Sequence, residues 1–329
     1  MSKKYLILGF GVAMFLAAIA AFSGWYAVRR AGLNVRGQDT FVQTKKNVAC
    51  LQKIKIKSLL DGEINIYEKD SGWYFKEAAD YFVNTEQLTA FFKMVNNSVI
   101  TSAIEASSAE ITAAGLDDSR GVLVETFDSG GKLLDSVVLG NKLPDGDSYF
   151  AKRSGYPYIY TVSSIGAFSG EAGAWMPFPL LEIPVNAIEK IKLDDVVLTL
   201  PVLEEYLPKS KELQKVLVSL AYLGYEGIAF AKDFAEDFPD IEAKTIEVAT
   251  NIGLIYELKV YNIGEDDYWL SVQLKNDRIA RKDVIPFVAE NQKYFADRVF
   301  NLEPEQAQAL YDIKAGDFME NSKVKVPEQ

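Results

Sequence analysis

An α+β fold built twice is what the sequence predicts, and three observations predict it. Short alternating runs rich in β-branched and aromatic residues recur through residues 53–275, bounded by glycine- and aspartate-bearing turns, and such runs read as strands. Two stretches repeat their apolar residues at helical spacing instead. The order strand–strand–helix–meander occurs once from residue 53 and again from residue 184. Two copies at this spacing make a duplicated domain and not a solenoid.

The first copy, residues 53–180, opens on Ile54-Lys55-Ile56-Lys57, which alternates. Asp61-Gly62 supplies a turn, and a strand resumes from Glu63 to Phe75, ending in Gly72-Trp73-Tyr74-Phe75. Asn84 and Gln87 fit a capping pair before a helix with an apolar face of Leu88, Phe91, Phe92 and Val95;. Strands follow at Ile100–Ala106, Val122–Asp128, Lys132–Gly140, Ser148–Arg153 and Tyr158–Val162. Ser129-Gly130-Gly131, Pro144-Asp145-Gly146 and Ser154-Gly155 separate the last four;.

The second copy, residues 184–300, repeats the pattern. Ile191-Lys192-Leu193 echoes Ile54-Lys55-Ile56, and Val196–Leu200 gives the second strand. Ser210 caps a helix with Leu213, Val216, Leu217 and Leu220 on one face;. Strands follow at Tyr225–Phe230, Thr245–Asn251, Leu254–Asn262 and Tyr268–Lys275. The loop Asp145-Gly146-Asp147 before Tyr149-Phe150 is matched by Glu265-Asp266-Asp267 before Tyr268-Trp269. A helix with a stripe of Val284, Phe287, Val288 and Phe295 comes next. Residues 301–329 read as a C-terminal helix, with Pro304 at its first position, and a disordered tail.

Ahead of both copies, Lys3 and Lys4 precede an uncharged run from Tyr5 to Val28, with Trp25 and Tyr26 at its far end and Arg29 and Arg30 closing it. As a helix rising about 1.5 Å per residue, that run covers a hydrocarbon core of roughly 30 Å, and its terminal aromatics suit the interface. Residues 1–30 therefore read as an uncleaved transmembrane anchor and residues 31–52 as a membrane-proximal linker. The rival is a signal peptide cleaved near Ala18-Ile19-Ala20, but the apolar run continues well past Ala20. A short N-terminus followed by one anchor leaves the bulk of the chain outside the cytoplasm.

Composition then narrows the chemistry. The chain has 329 residues, 49% of them hydrophobic, and a formal net charge of −11; nucleic-acid binders need a basic face. With no histidine, the Ser-His-Asp and Cys-His mechanisms and histidine metal sites are out of reach. The one cysteine, Cys50, cannot form an internal disulfide;. It reads as a buried or half-buried thiol, because polar residues Gln43 to Asn47 separate it from the apolar segment and argue against lipidation. Asp145 and Asp147, and Glu265 to Asp267, read as solvated hairpin loops and lack a calcium-loop series. Asp117-Asp118 and Asp194-Asp195 are adjacent carboxylates, which point to opposite faces of a strand and suit turns. Gly9-Phe10-Gly11 opens no βαβ unit, so no nucleotide loop, cofactor site or catalytic set is expected. Tyr156, Tyr158 and Tyr160 alternate on one strand face; such a row forms either the core side of a sheet or a stacking surface for a ligand.

The ordered set of motifs resembles the bacterial, membrane-anchored family of domain of unknown function 4340. Ile54-Lys55-Ile56, Gly72-Trp73, Ala79-Asp80, Ala114-Gly115-Leu116-Asp117, Val138-Leu139-Gly140, Tyr149-Phe150-Ala151-Lys152, Tyr158-Ile159-Tyr160 and Trp175 carry the resemblance, over most of residues 40–275. Members are commonly encoded beside an ABC-type transporter permease and a gliding-type auxiliary protein. The resemblance implies a non-enzymatic accessory or scaffold subunit of an envelope ABC transport system, held in the bacterial inner membrane with a periplasmic bulk. Its partners would be the permease or the auxiliary subunit. An extracytoplasmic binding module for a glycan or lipid is the alternative, with Tyr156, Tyr158 and Tyr160 as its surface.

Overall fold

The structure is a computed structural model that describes residues 35–59, 62–194, 196–199, 210–277 and 282–314. The expected anchor, Tyr5 to Val28, and the tail from residue 315 lie outside these residues. Among the described residues, no helix is long and apolar enough to cross a membrane. The chain forms two compact units, one of residues up to 76 with 83–175, the other of 77–82 with 176 onward.

The first unit contains α1 (Val42–Lys46), β1 (Leu51–Ser58), β2 (Gly62–Lys69) and β3 (Gly72–Phe75). The short β4 (Tyr81–Phe82) comes next in the chain but belongs to the second unit. The first unit then resumes with α2 (Thr85–Asn97), β5 (Val99–Glu105), α3 (Ser108–Ala113), β6 (Val122–Asp128), β7 (Leu133–Lys142), β8 (Ser148–Arg153) and β9 (Tyr158–Ser163). Its antiparallel sheet runs β3-β2-β1-β6-β7-β8-β9-β5. The strand expected from Glu63 to Phe75 is a hairpin, because Asp70 and Ser71 take φ of 50° and 65° and turn the chain between β2 and β3. Alternation puts Ile54, Ile56, Ile64 and Ile66 on the buried side;. The α2 residues closed off with them are Ala90, Phe91, Met94 and Val95. Leu88 and Phe92, expected on that face, are half-buried.

The second unit holds β10 (Ile188–Leu193), β11 (Val196–Thr199), α4 (Lys211–Ala221), β12 (Tyr225–Phe230), α5 (Ala231–Asp237), β13 (Ala243–Thr250), β14 (Leu254–Gly264) and β15 (Asp267–Asn276). It ends with α6 (Val284–Phe295), β16 (Arg298–Leu302) and α7 (Pro304–Asp312). Its antiparallel sheet runs β11-β10-β13-β14-β15-β16-β12. Without β3, the first sheet has the same order strand for strand. Two of the irregularities match too: the register shifts between Leu51 and Lys53 on β1 and between Ile188 and Lys190 on β10. It shifts again between Ile100 and Ser102 on β5 and between Tyr225 and Gly227 on β12. Bulges at equivalent places are features of a shared plan.

This shared plan corrects the expected boundaries. Residues 35–50 are not a linker, since Phe41 and Thr44 are fully buried. A 3-10 turn, Val48–Cys50, leads straight into β1, as Val185–Ala187 leads into β10. Cys50, expected to be at least half-buried, is exposed at the end of that turn. At the other end, β16 pairs with both β12 and β15, so residues 298–312 complete the second unit and are not a separate tail. The helix α6 has no counterpart in the first unit. Phe287 of its expected stripe is exposed, while Val284 is buried.

Candidate functional site

Around β9 the first sheet is covered on both faces, and this decides the fate of the tyrosine row. On the outer face of the first sheet, α3 and the turn after it bring Ala114 and Leu116 onto Ile159, with Ile111, Val138 and Phe150 around them. On the inner face, Tyr158 and Tyr160 are fully buried, their rings 6.2 Å apart. Tyr156 is half-buried beneath the Arg153 guanidinium, 5.3 Å from the ring centre. The row is therefore core at two of its three positions and does not form an open stacking surface. Burial pushes the Tyr160 hydroxyl up to about 12, and its oxygen has no hydrogen-bond partner among the described residues.

The acidic loops are turn devices. Asp145 accepts from the Asp147 and Ser148 amides at 3.1 and 2.9 Å, and its bonding to Ser148 lowers its pKa. Asp117 bonds Ser119 and Arg120, which lower its pKa in that order. Asp267 accepts from Trp269 Nε1 at 2.9 Å and Asn301 Nδ2 at 2.8 Å. Asp194 stands at φ 52° after β10, and Asp195 lies outside the described residues. No group of three acidic, cysteine or histidine side chains among the described residues could hold a metal ion.

The sheet edges are partly used by the chain itself. In the first unit, Gly37 N donates to Ile100 O and Ile100 N to Gln38 O, laying residues 37–40 along the start of β5. In the second, Leu180 N donates to Leu223 O and Leu223 N to Leu181 O, just before β12. Just upstream, Pro177 O accepts from the Tyr225 hydroxyl.

The surface that the fold leaves unexplained is on the second unit, at α4 and α7. Leu213, Val216, Leu217 and Leu220 face inward from α4, and Ala307 and Leu310 from α7. Between the outer sides of the two helices lies a groove of about 630 Å³. Val218, Ala309 and Ile313 give it apolar lining, and Glu212, Lys215, Glu305 and Asp312 its charges. Val218 is 69% exposed. Beside it, Phe178 and Tyr222 stack edge to face with ring centres 5.2 Å apart, yet stay 49% and 50% exposed. Gln306 ties the pair to the groove: its amide nitrogen donates to Tyr222 O at 3.2 Å and its oxygen accepts from Gly224 N at 2.7 Å. Exposed apolar and aromatic residues gathered in one place mark interaction surfaces. Val218 lies off the apolar face of Leu213, Val216, Leu217 and Leu220, and sequence reading did not single it out. The first unit also has a groove, about 610 Å³, between α2 and the segment 164–167, without an exposed aromatic pair beside it among the described residues.

Residues 73–234 match the model of the family described as Domain of unknown function (DUF4340). The match runs from β3 of the first unit to α5 of the second, so it spans the end of one copy and the start of the next. No curated protein and no solved structure matches the chain. The resemblance read from the motifs is thus borne out over residues 73–234, the segment holding most of them.

Proposed function

We propose that this protein is a membrane-anchored, non-enzymatic accessory subunit of an envelope ABC-type transport system, docking a partner on the α4–α7 groove. The observation that carries this reading is the groove with its exposed Val218 and the neighbouring Phe178–Tyr222 pair. A surface walled by two helices suits a partner helix laid along it with its apolar stripe inward. The groove lining carries Glu212, Glu305 and Asp312 against one lysine, Lys215, so such a helix would carry basic flanks. The apolar run from Tyr5 to Val28 supplies the other half: an anchor confines the domain to the plane of an integral transporter and raises its effective concentration there.

Pull-down of tagged full-length protein from mild detergent tests this. The permease or its auxiliary subunit should be recovered by wild type. Recovery should fall about tenfold with Val218→Asp plus Tyr222→Asp, since buried apolar anchors dominate such interfaces. Equal recovery by that variant sinks the groove as the docking surface. If crosslinked membranes yield only a glycan or lipid, the binding-module alternative takes its place, with Phe178 and Tyr222 as the stacking surface.

A further inference from the structure

Residues 77–82 form a strap in the second unit, and its geometry is unusual. Ala79 and Asp80 both take left-handed backbone, with φ of 53° and 51°. Left-handed conformation is unfavourable for residues with a Cβ, and two in succession are rarer still. One side chain holds this turn. Arg298 Nε donates to Ala79 O at 3.1 Å and Nη2 to Asp80 O at 2.9 Å. Nη1 donates to Lys293 O at 3.3 Å and Ala296 O at 3.2 Å, at the end of α6. The guanidinium also sits 5.4 Å from the centre of the Tyr81 ring. Among the described residues it makes no ion pair with a carboxylate, so backbone carbonyls replace its hydration.

Beyond the turn, the strap plugs an aromatic pocket. Tyr81 meets Phe300 edge to face at 5.6 Å, and Phe300 in turn meets Tyr225 at 5.7 Å and Phe295 at 6.1 Å. Phe82 lies 4.5 Å from Tyr294. Burial raises the pKa of both Tyr81 and Tyr225, as expected of hydroxyls shut away from water.

The repeat shows that the fold itself does not demand an arginine here. Arg298 pairs with Phe230 at the end of β12, and in the first unit the matching pair is Tyr158 with Glu105. At the equivalent place the first copy thus has a buried tyrosine. The charge, the left-handed turn and the inserted helix α6 occur together only in the second unit.

We infer that Arg298 is a latch that holds the 77–82 strap shut, and that the strap opens as a unit ahead of the rest of the second unit. Opening would uncover the pocket of Tyr225, Tyr294, Phe295 and Phe300. The latch is independent of whether the α4–α7 groove binds a partner.

Limited chymotrypsin digestion of the full chain in mild detergent tests it, with cleavage after Tyr81 and Phe82 read by mass spectrometry and exchange of residues 77–82 followed in parallel. Arg298→Met should raise cleavage and exchange in the strap by about tenfold or more, while peptides from β14 and β15 keep their protection, as expected of local opening. Arg298→Lys, which keeps the charge but cannot reach four carbonyls, should also loosen the strap. Glycine accepts left-handed backbone freely, so adding Ala79→Gly and Asp80→Gly to Arg298→Met should bring cleavage back to within about threefold of wild type. The latch is overturned if Arg298→Met leaves the strap as protected as before. It is equally overturned if β14 and β15 lose protection in step with the strap, or if the glycines give no rescue.

Discussion

Single residues show where the first sheet spends stability. The Tyr160 hydroxyl is buried without a partner, and an unsatisfied polar atom in a core is costly. Tyr160→Phe should therefore stabilise the first unit by about 1 kcal/mol, seen as a higher urea midpoint at unchanged slope; a lower midpoint would mean the hydroxyl finds a partner. Asp135 is the opposite case. Its buried carboxylate accepts from Thr44 N and Thr44 Oγ1, both at 2.7 Å, while Thr44 and Thr126 hydroxyls lie 2.6 Å apart. This network fastens α1 to β6 and β7. Asp135→Ala strands the Thr44 amide and should cost about 2–3 kcal/mol, and exchange in residues 42–46 should rise first. None of this was legible beforehand, because Asp135 reads as an ordinary strand residue and its partner is 91 positions away.

Elements were legible in proportion to their length and periodicity. Two of the long helices, α2 and α4, were found with their caps, and the caps hold: Asn84 accepts from Glu86 N at 2.9 Å and Ser210 from Leu213 N at 3.2 Å. Gln87, expected to complete the first cap, reaches out to Ala167 O and Ser169 N. Replacing Ser210 by alanine should cost about 1 kcal/mol, with the loss confined to exchange in α4 and its neighbours; an even loss over both units would contradict the separateness of the two cores. The short helices went unread. α3 and α5 are too brief for periodicity to register, although Ser107 and Glu110 do form a full capping box, a signal present in the sequence. α1 was hidden because a five-residue helix flanked by lysines looks like linker, and its burial comes from the sheet it lands on.

At the scale of the whole molecule, the duplication provides an internal control, since one topology carries two different sets of titrating groups. Among the described residues, the carboxylates with lowered pKa, Glu63, Glu110, Asp117 and Asp145, belong to the first unit. Glu63, Glu110 and Asp145 are exposed and Asp117 half-buried, so their contribution, present at neutral pH and lost as pH falls through their folded values, is small. Tyrosines behave differently. Among the described residues, burial raises Tyr81, Tyr225, Tyr256 and Tyr268 in the second unit and Tyr160 in the first. A phenol held neutral in the folded state releases its proton only after unfolding, so the unfolded chain loses protons first once pH passes about 10. Stability is therefore level below that point and falls as pH climbs from there toward the folded values. The four raised groups described in the second unit make the fall steep there. Exchange measured between pH 9 and pH 11, corrected for intrinsic rate, should show β13–β16 losing protection before β6–β9. Tyr225→Phe should delay the loss, because phenylalanine keeps the ring against Phe300 and removes the ionisable hydroxyl. Simultaneous loss in both units, or earlier loss in the first, would show that the buried tyrosines do not govern the alkaline limit.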